Sequence, residues 1–111
     1  MSSASQQVMS ALAEPRRRQI VELVASNGRM SATAISSRFD ITPAAISQHL
    51  KVLRDARVLR MTKRAQQRLY QINPEAFDEL EQWSKRMREA WATRFDQLDE
   101  LLARDESQGG V

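Results

Sequence analysis

The chain has 111 residues, no cysteine, and a net charge of +3 from 17 Lys and Arg against 14 Asp and Glu. That is one domain's worth of sequence with a thin core, a size that often gains stability from a partner subunit. The missing thiols exclude a disulfide framework and a thiolate metal site, and the apolar runs are too short for a membrane-spanning helix. Met1 to Gln7 is polar and does not read as a secretory signal, so a cytoplasmic location is the default expectation. The charge is unevenly placed: residues 1–73 carry 12 basic and 4 acidic side chains, residues 74–111 carry 5 and 10. A basic block of this kind suits a polyanionic partner; a solvated surface without a partner is the plain alternative.

The chain reads as a single domain, with residues 1–6 and 105–111 expected to be disordered. Val8, Met9 and Leu12 predict a first helix over Gln6 to Ala13. Glu14-Pro15 stops it, and Pro15 suits the first turn of a second helix. That helix runs to about Ser26 with Ile20, Leu23 and Val24 on one stripe, and Asn27-Gly28 ends it. A short third helix is expected over Met30 to Phe39, with Ser31 as N-cap and Ala34, Ile35 and Phe39 inward. After a turn at Asp40-Ile41, Thr42 caps a fourth helix with Pro43 at its first position. It buries Ile46, Leu50 and Leu53 and ends near Ala56. The period then changes: Val58 to Lys63 and Gln67 to Ile72 are strand-like and predict a β-hairpin turning through Arg64-Ala65-Gln66. Asn73-Pro74 opens a last helix over residues 74–104, roughly 46 Å long at ~1.5 Å per residue.

This order predicts a mainly α fold with a small β-hairpin: a winged helix-turn-helix with a long C-terminal dimerisation helix. In such a unit the second helix of the pair enters the major groove of double-stranded DNA. Its outward face here holds Ala44, Ser47, Gln48 and Lys51, with Thr42 at its start. Gln48 can pair with adenine, Ser47 can donate or accept, and Ala44 can meet a thymine methyl. From Pro43 to Leu53 there is no carboxylate, which an ordinary solvated face of this length would usually carry. His49 lies beside the buried stripe, where packing with one hydrogen bond and contact with a phosphate or base both remain open. Lys63, Arg64 and Arg68 make the wing basic, with no acid from Arg57 to Asn73, as phosphate contact requires. Arg17 joins these residues as a DNA-contact candidate.

The run Leu12-Ala13-Glu14-Pro15-Arg16-Arg17-Arg18-Gln19-Ile20 resembles the opening of the arsenical-resistance repressor (ArsR) family. Ile46-Ser47-Gln48-His49-Leu50-Lys51-Val52-Leu53-Arg54-Asp55-Ala56 is similar to that family's recognition helix, and Arg68-Leu69-Tyr70 to its second wing strand. The resemblance spans roughly residues 8–104. It implies a homodimeric repressor that leaves its operator when an effector binds. The chain departs from the family where Arg57 replaces a frequent Gly, and where Ala65-Gln66 replaces a wing turn with Gly. The second departure implies a longer or differently shaped wing tip.

The family's thiolate sensors carry a Cys pair in the third helix, at positions that match Ser31 and Thr33 here. A second family metal site needs His on the last helix, which has none. The resemblance therefore implies no metal and no cofactor. Trp83, Trp91 and Phe95 resemble a family branch with an aromatic-rich last helix, whose members are often encoded beside small hydrophobic-ligand-binding proteins. That implies a non-metal signal, with a small-molecule effector as a candidate partner. An enzyme is not expected, because there is no phosphate loop and no His paired with a nucleophile. A protein-interaction module without specific DNA binding is the remaining alternative. Trp83, Met87, Trp91, Phe95, Leu98 and Leu102 recur at helical spacing, too long a stripe for residues 15–73 to cover. A homodimer built on that helix, with Val8, Met9 and Leu12 of the first helix beside it, is the expected assembly.

Overall fold

The structure, a computed structural model, describes residues 1–109, with side chains through residue 105. It divides into two units, residues 1–79 and the chain from Leu80 onward.

The first unit opens with α1, Ser3–Ala13. This helix begins before the expected Gln6, and residues 3–6 are helical rather than disordered. The reason is a cap: the Ser2 hydroxyl accepts from the Ser5 amide at 3.1 Å and donates to Glu79 at 2.7 Å. Glu14 then caps α2, Pro15–Asn27, by accepting from the Arg17 amide at 2.8 Å. Gly28, at φ 80, ends α2 with its N–H on the Val24 carbonyl, a left-handed stop that suits glycine.

Beyond Gly28 the chain corrects one expectation. Met30–Ser31 is a short strand, β1, and α3 covers only Ala32–Ser36. Ser31 does cap α3, accepting from the Ala34 amide at 3.0 Å, but an N-cap residue is itself extended. That extended backbone lets Met30 pair with Tyr70 and Ser31 with Leu69. The helix α4, Pro43–Asp55, follows with Thr42 as its cap. Then come β2, Leu59–Arg64, and β3, Gln67–Ile72. The expected hairpin is therefore part of a three-stranded antiparallel sheet ordered β1-β3-β2. Ile20 and Val24 of α2, Ile35 of α3, and Ile46, Leu50 and Leu53 of α4 are buried with Val58, Leu59 and Tyr70. Truncating one of the larger aliphatic side chains to Ala is expected to cost about 2–5 kcal/mol.

Both positions where a glycine was expected keep glycine geometry without it. Arg57 has φ 63 and Ala65 has φ 56. At the end of α4 the Arg57 amide donates to the Arg54 carbonyl and the Val58 amide to the Leu53 carbonyl, both at 2.9 Å. This pair of bonds is the Schellman termination, with Arg in the left-handed seat. Its usual apolar contact is available too, since Leu53 and Val58 are both fully buried. At the wing tip Arg64 pairs with Gln67, so the turn is the two residues Ala65-Gln66 and is not lengthened. Left-handed φ at Ala65 supplies the twist that a two-residue hairpin needs.

A single 3-10 turn, Pro74–Phe77, precedes α5, Asp78–Gly109. From Leu80 onward this helix is the second unit. It continues past the expected end at Arg104, because Leu101 to Gln108 contains neither Pro nor Gly. Residues 110–111 of the expected disordered tail lie outside the described residues. Trp83, Met87, Trp91, Phe95, Leu98, Leu101 and Leu102 are all exposed, Trp91 by 72%. Among the described residues no helix is long and apolar enough to cross a membrane.

Candidate nucleic-acid interface

The two faces of α4 separate as the spacing predicted. Ile46, Leu50 and Leu53 are buried, while Ala44, Ser47, Gln48 and Lys51 are exposed. Thr42 is exposed as well, but its hydroxyl is occupied in part by accepting from the Ala45 amide at 3.1 Å. His49 is half-buried, and its Nδ1 stands 4.0 Å from the Glu14 carboxylate. The Arg17 amide N–H, with smaller help from the Arg16 amide and the charges of His49 and Arg17, holds the Glu14 carboxyl below its ordinary pKa. His49 thus faces a carboxylate of its own unit, a partner the sequence reading did not identify.

Arg17 is also tied inward. Its Nε donates to the Ala11 carbonyl at 2.7 Å, while Arg18 donates to the carbonyls of Leu12 and Ala13. The two arginines satisfy the orphan carbonyls that end α1. Arg16 lies over the Phe39 ring, 5.9 Å from its centroid. These contacts fix α1 and α2 against the helix-turn-helix, so Arg17 is first a structural cap.

The wing carries Lys63, Arg64 and Arg68, all exposed. Lys63 and Arg68 are direct cross-strand partners. Like charges directly opposite destabilise a strand pair. A polyanion laid across the wing would relieve that repulsion. Between α4 and the wing lies a cleft of about 420 Å³, lined among others by Gln48, Lys51 and Arg54 of α4 and Arg68 of β3. Arg54 was missed in the sequence reading. Its signal was the step of three residues from Lys51, which keeps it on the same exposed face.

The expected dimer surface needs one correction. Ser5, Val8 and Ala11 form the buried face of α1, so Val8 belongs to the core of its own unit and cannot meet a partner. Met9 is exposed and Leu12 half-buried. The spacing of Val8, Met9 and Leu12 did not reveal that they divide between two faces. A cavity of about 650 Å³ lies between α1, the end of α4 and the 3-10 turn. Among the described residues no group of three or more His, Cys, Asp or Glu could hold a metal ion.

A family model described as a helix-turn-helix domain matches residues 12–62. The transcriptional repressor SdpR of Bacillus subtilis (strain 168) is 32% identical over 76 residues, covering 68% of this chain and 83% of that protein. Among solved structures, an ArsR family transcriptional regulator aligns with a TM-score of 0.72 at 26% identity, over 80% of this chain and 91% of that one. A possible transcriptional regulator for arsenical resistance aligns with a TM-score of 0.60 at 30% identity, over 85% and 91%.

Proposed function

The chain belongs to the ArsR family of winged helix-turn-helix transcriptional regulators, and from that membership we propose that it is a cytoplasmic homodimeric repressor, released from double-stranded operator DNA by a non-metal signal. The observation that carries the reading is the face of α4 before Asp55, free of carboxylates, where Ala44, Ser47, Gln48 and Lys51 stand exposed and lead across a cleft to a wing without acids. Gln48 and Ser47 read base edges, with Ala44 against a methyl group. Lys51, Lys63, Arg64 and Arg68 hold phosphates. Thr42, His49 and Arg17 have a second duty in the fold and contribute to the DNA face from there.

Dimerisation is supported by the exposed apolar stripe of α5, which includes Trp83, Met87, Trp91, Phe95, Leu98 and Leu102. Two tryptophans and a phenylalanine along one face are a costly patch in water, and closed two-fold pairing is the commonest remedy. Met9 and Leu12 of α1 are further candidates for contact with the second copy. Charge sets the direction of pairing. Residues 80–94 carry four basic and two acidic side chains, residues 95–105 one basic and four acidic. An antiparallel second copy matches the basic half with the acidic half, with Trp91 and Phe95 near the crossing point.

A non-metal signal is supported by Ser31 and Thr33 at the family's cysteine positions, where the Ser31 hydroxyl is engaged in capping α3. The cavity of about 650 Å³ beside α1 offers room for a small-molecule effector. A DNA mobility shift over a range of salt, run with and without zinc, cadmium and arsenite, tests the reading. Binding that weakens steeply with salt and ignores the metals is expected. Absence of a shift, or release by near-stoichiometric metal, would overturn the corresponding part.

A further inference from the structure

We propose that the cleft between α4 and β3 seats one phosphate of the DNA backbone, gripped by Lys51, Arg54 and Arg68 and by the hydroxyl of Tyr70. The inference rests on the operator-binding reading and gives that site two further residues, Arg54 and Tyr70. Tyr70 lines the cleft with the three cations. It is 5% exposed, clamped between strands by pairing with Met30 on one side and Met61 on the other. A tyrosine buried to this degree normally spends its hydroxyl on a hydrogen bond. Here the hydroxyl finds no partner among the described residues and is not sealed from solvent. Residues two apart on a strand share a face, so Arg68 and Tyr70 rise on the same side of β3, toward α4.

The chemistry of the cleft fits a phosphate better than a base. Its cations come from two elements, and none of the three has a carboxylate within ion-pair distance among the described residues. Asp55 also lines the cleft but faces the other cavities as well, which leaves the cations in excess. Two guanidinium forks and an ammonium can share the oxygens of one phosphodiester, while a phenol donates to an oxygen but cannot neutralise it. The base-reading residues Ser47 and Gln48 line the same cleft one to two turns nearer the start of α4, and Arg54 lies in its last turn. A phosphate held here would bind helix and wing to the same point of the backbone and so fix the register in which Gln48 meets its base.

The test compares wild type, Tyr70→Phe and Arg54→Ala on a selected operator across a salt series. Tyr70→Phe is expected to bind all sequences about tenfold more weakly while its melting temperature stays unchanged, because the lost hydroxyl bonds nothing in the free protein. Arg54→Ala is expected to lose at least as much and to lower the salt slope by about one. Operators carrying one neutral methylphosphonate at each successive position then locate the contact. At one position per half-site wild type should weaken, and both substitutions should cost nothing more. Variants that bind as wild type, or losses that persist on every methylphosphonate operator, would overturn the proposal while leaving operator binding intact. Failure of wild type to bind any DNA would instead remove the reading beneath it. Inorganic phosphate should compete no better than chloride at equal ionic strength. Specific competition lost in Tyr70→Phe would assign the cleft to a free anion and overturn the DNA assignment.

Discussion

The side-chain amide of Asn73 donates to the Arg57 carbonyl at 2.9 Å, and the Asn73 backbone amide donates to the Val58 carbonyl at 2.9 Å. The foot of the wing is thereby fastened to the last turn of α4, the two elements expected to hold DNA. The fastening depends on Arg57 at φ 63, a conformation that costs a non-glycine residue roughly 1–2 kcal/mol. Arg57→Gly should therefore stabilise the protein by about 1 kcal/mol, a few degrees in melting temperature. Operator affinity should barely change, because Arg57 is not among the residues lining the cleft. Calorimetry at fixed protein concentration checks the first point. A fall in melting temperature would show that the arginine side chain contributes more than its backbone strain costs.

Gln48 stands exposed on α4, in the stretch Pro43 to Leu53 that carries no carboxylate. Gln48→Ala should relax sequence preference and cost about 1–3 kcal/mol at the bases it reads, with little change on unrelated DNA. Equal losses on operator and scrambled DNA, or none on either, would remove Gln48 from base readout.

Lys63 gives a prediction of opposite signs. Facing Arg68 across the strands, it repels in the free protein and is expected to hold a phosphate in the complex. Lys63→Ala should raise stability by a few tenths of a kcal/mol yet weaken binding to all sequences and lower the salt slope by about one. Paired melting and titration curves decide it. Loss of stability together with unchanged binding would mean that the wing does not touch the backbone.

Acid should loosen α1. The Ser2 hydroxyl, then the Ser2 amide and the Ser5 hydroxyl, hold the Glu79 carboxyl down to about 2 from its ordinary 4.5. A carboxylate depressed in the folded state lends stability that is fully present above about pH 4.5 and is lost as pH falls toward 2. Wild type should therefore lose more melting temperature across that window than Glu79→Gln. Parallel slopes for the two proteins would show that the Ser2–Glu79 contact does not hold α1 in solution.

What could be read from the sequence was what neighbours in the chain decide. Thr42-Pro43 announces the start of α4 by local cap chemistry, and the spacing of Ile46, Leu50 and Leu53 declares its buried face. Features that depend on distant partners escaped. The strand at Met30–Ser31 exists because Leu69 and Tyr70 come to lie beside it. The early start of α1 depends on Glu79, 77 residues away. The left-handed seats at Arg57 and Ala65 carried no glycine to announce them. Val8 and Met9 both fit a helical apolar pattern, and only packing separated the buried one from the exposed one. The Tyr70 hydroxyl gave no signal, since a tyrosine in a strand reads as core whether or not its hydroxyl is paired.

We propose that this chain reads a specific DNA sequence as a two-fold dimer. Repeated selection of wild-type protein on a pool of random double-stranded DNA, at near-physiological salt, tests it most directly. The expected result is enrichment of an inverted repeat whose half-sites lie about one helical turn, ~34 Å, or a multiple of it apart, bound about 10³-fold or more above scrambled DNA. Enrichment of no common motif, or equal binding of selected and scrambled DNA, would contradict it.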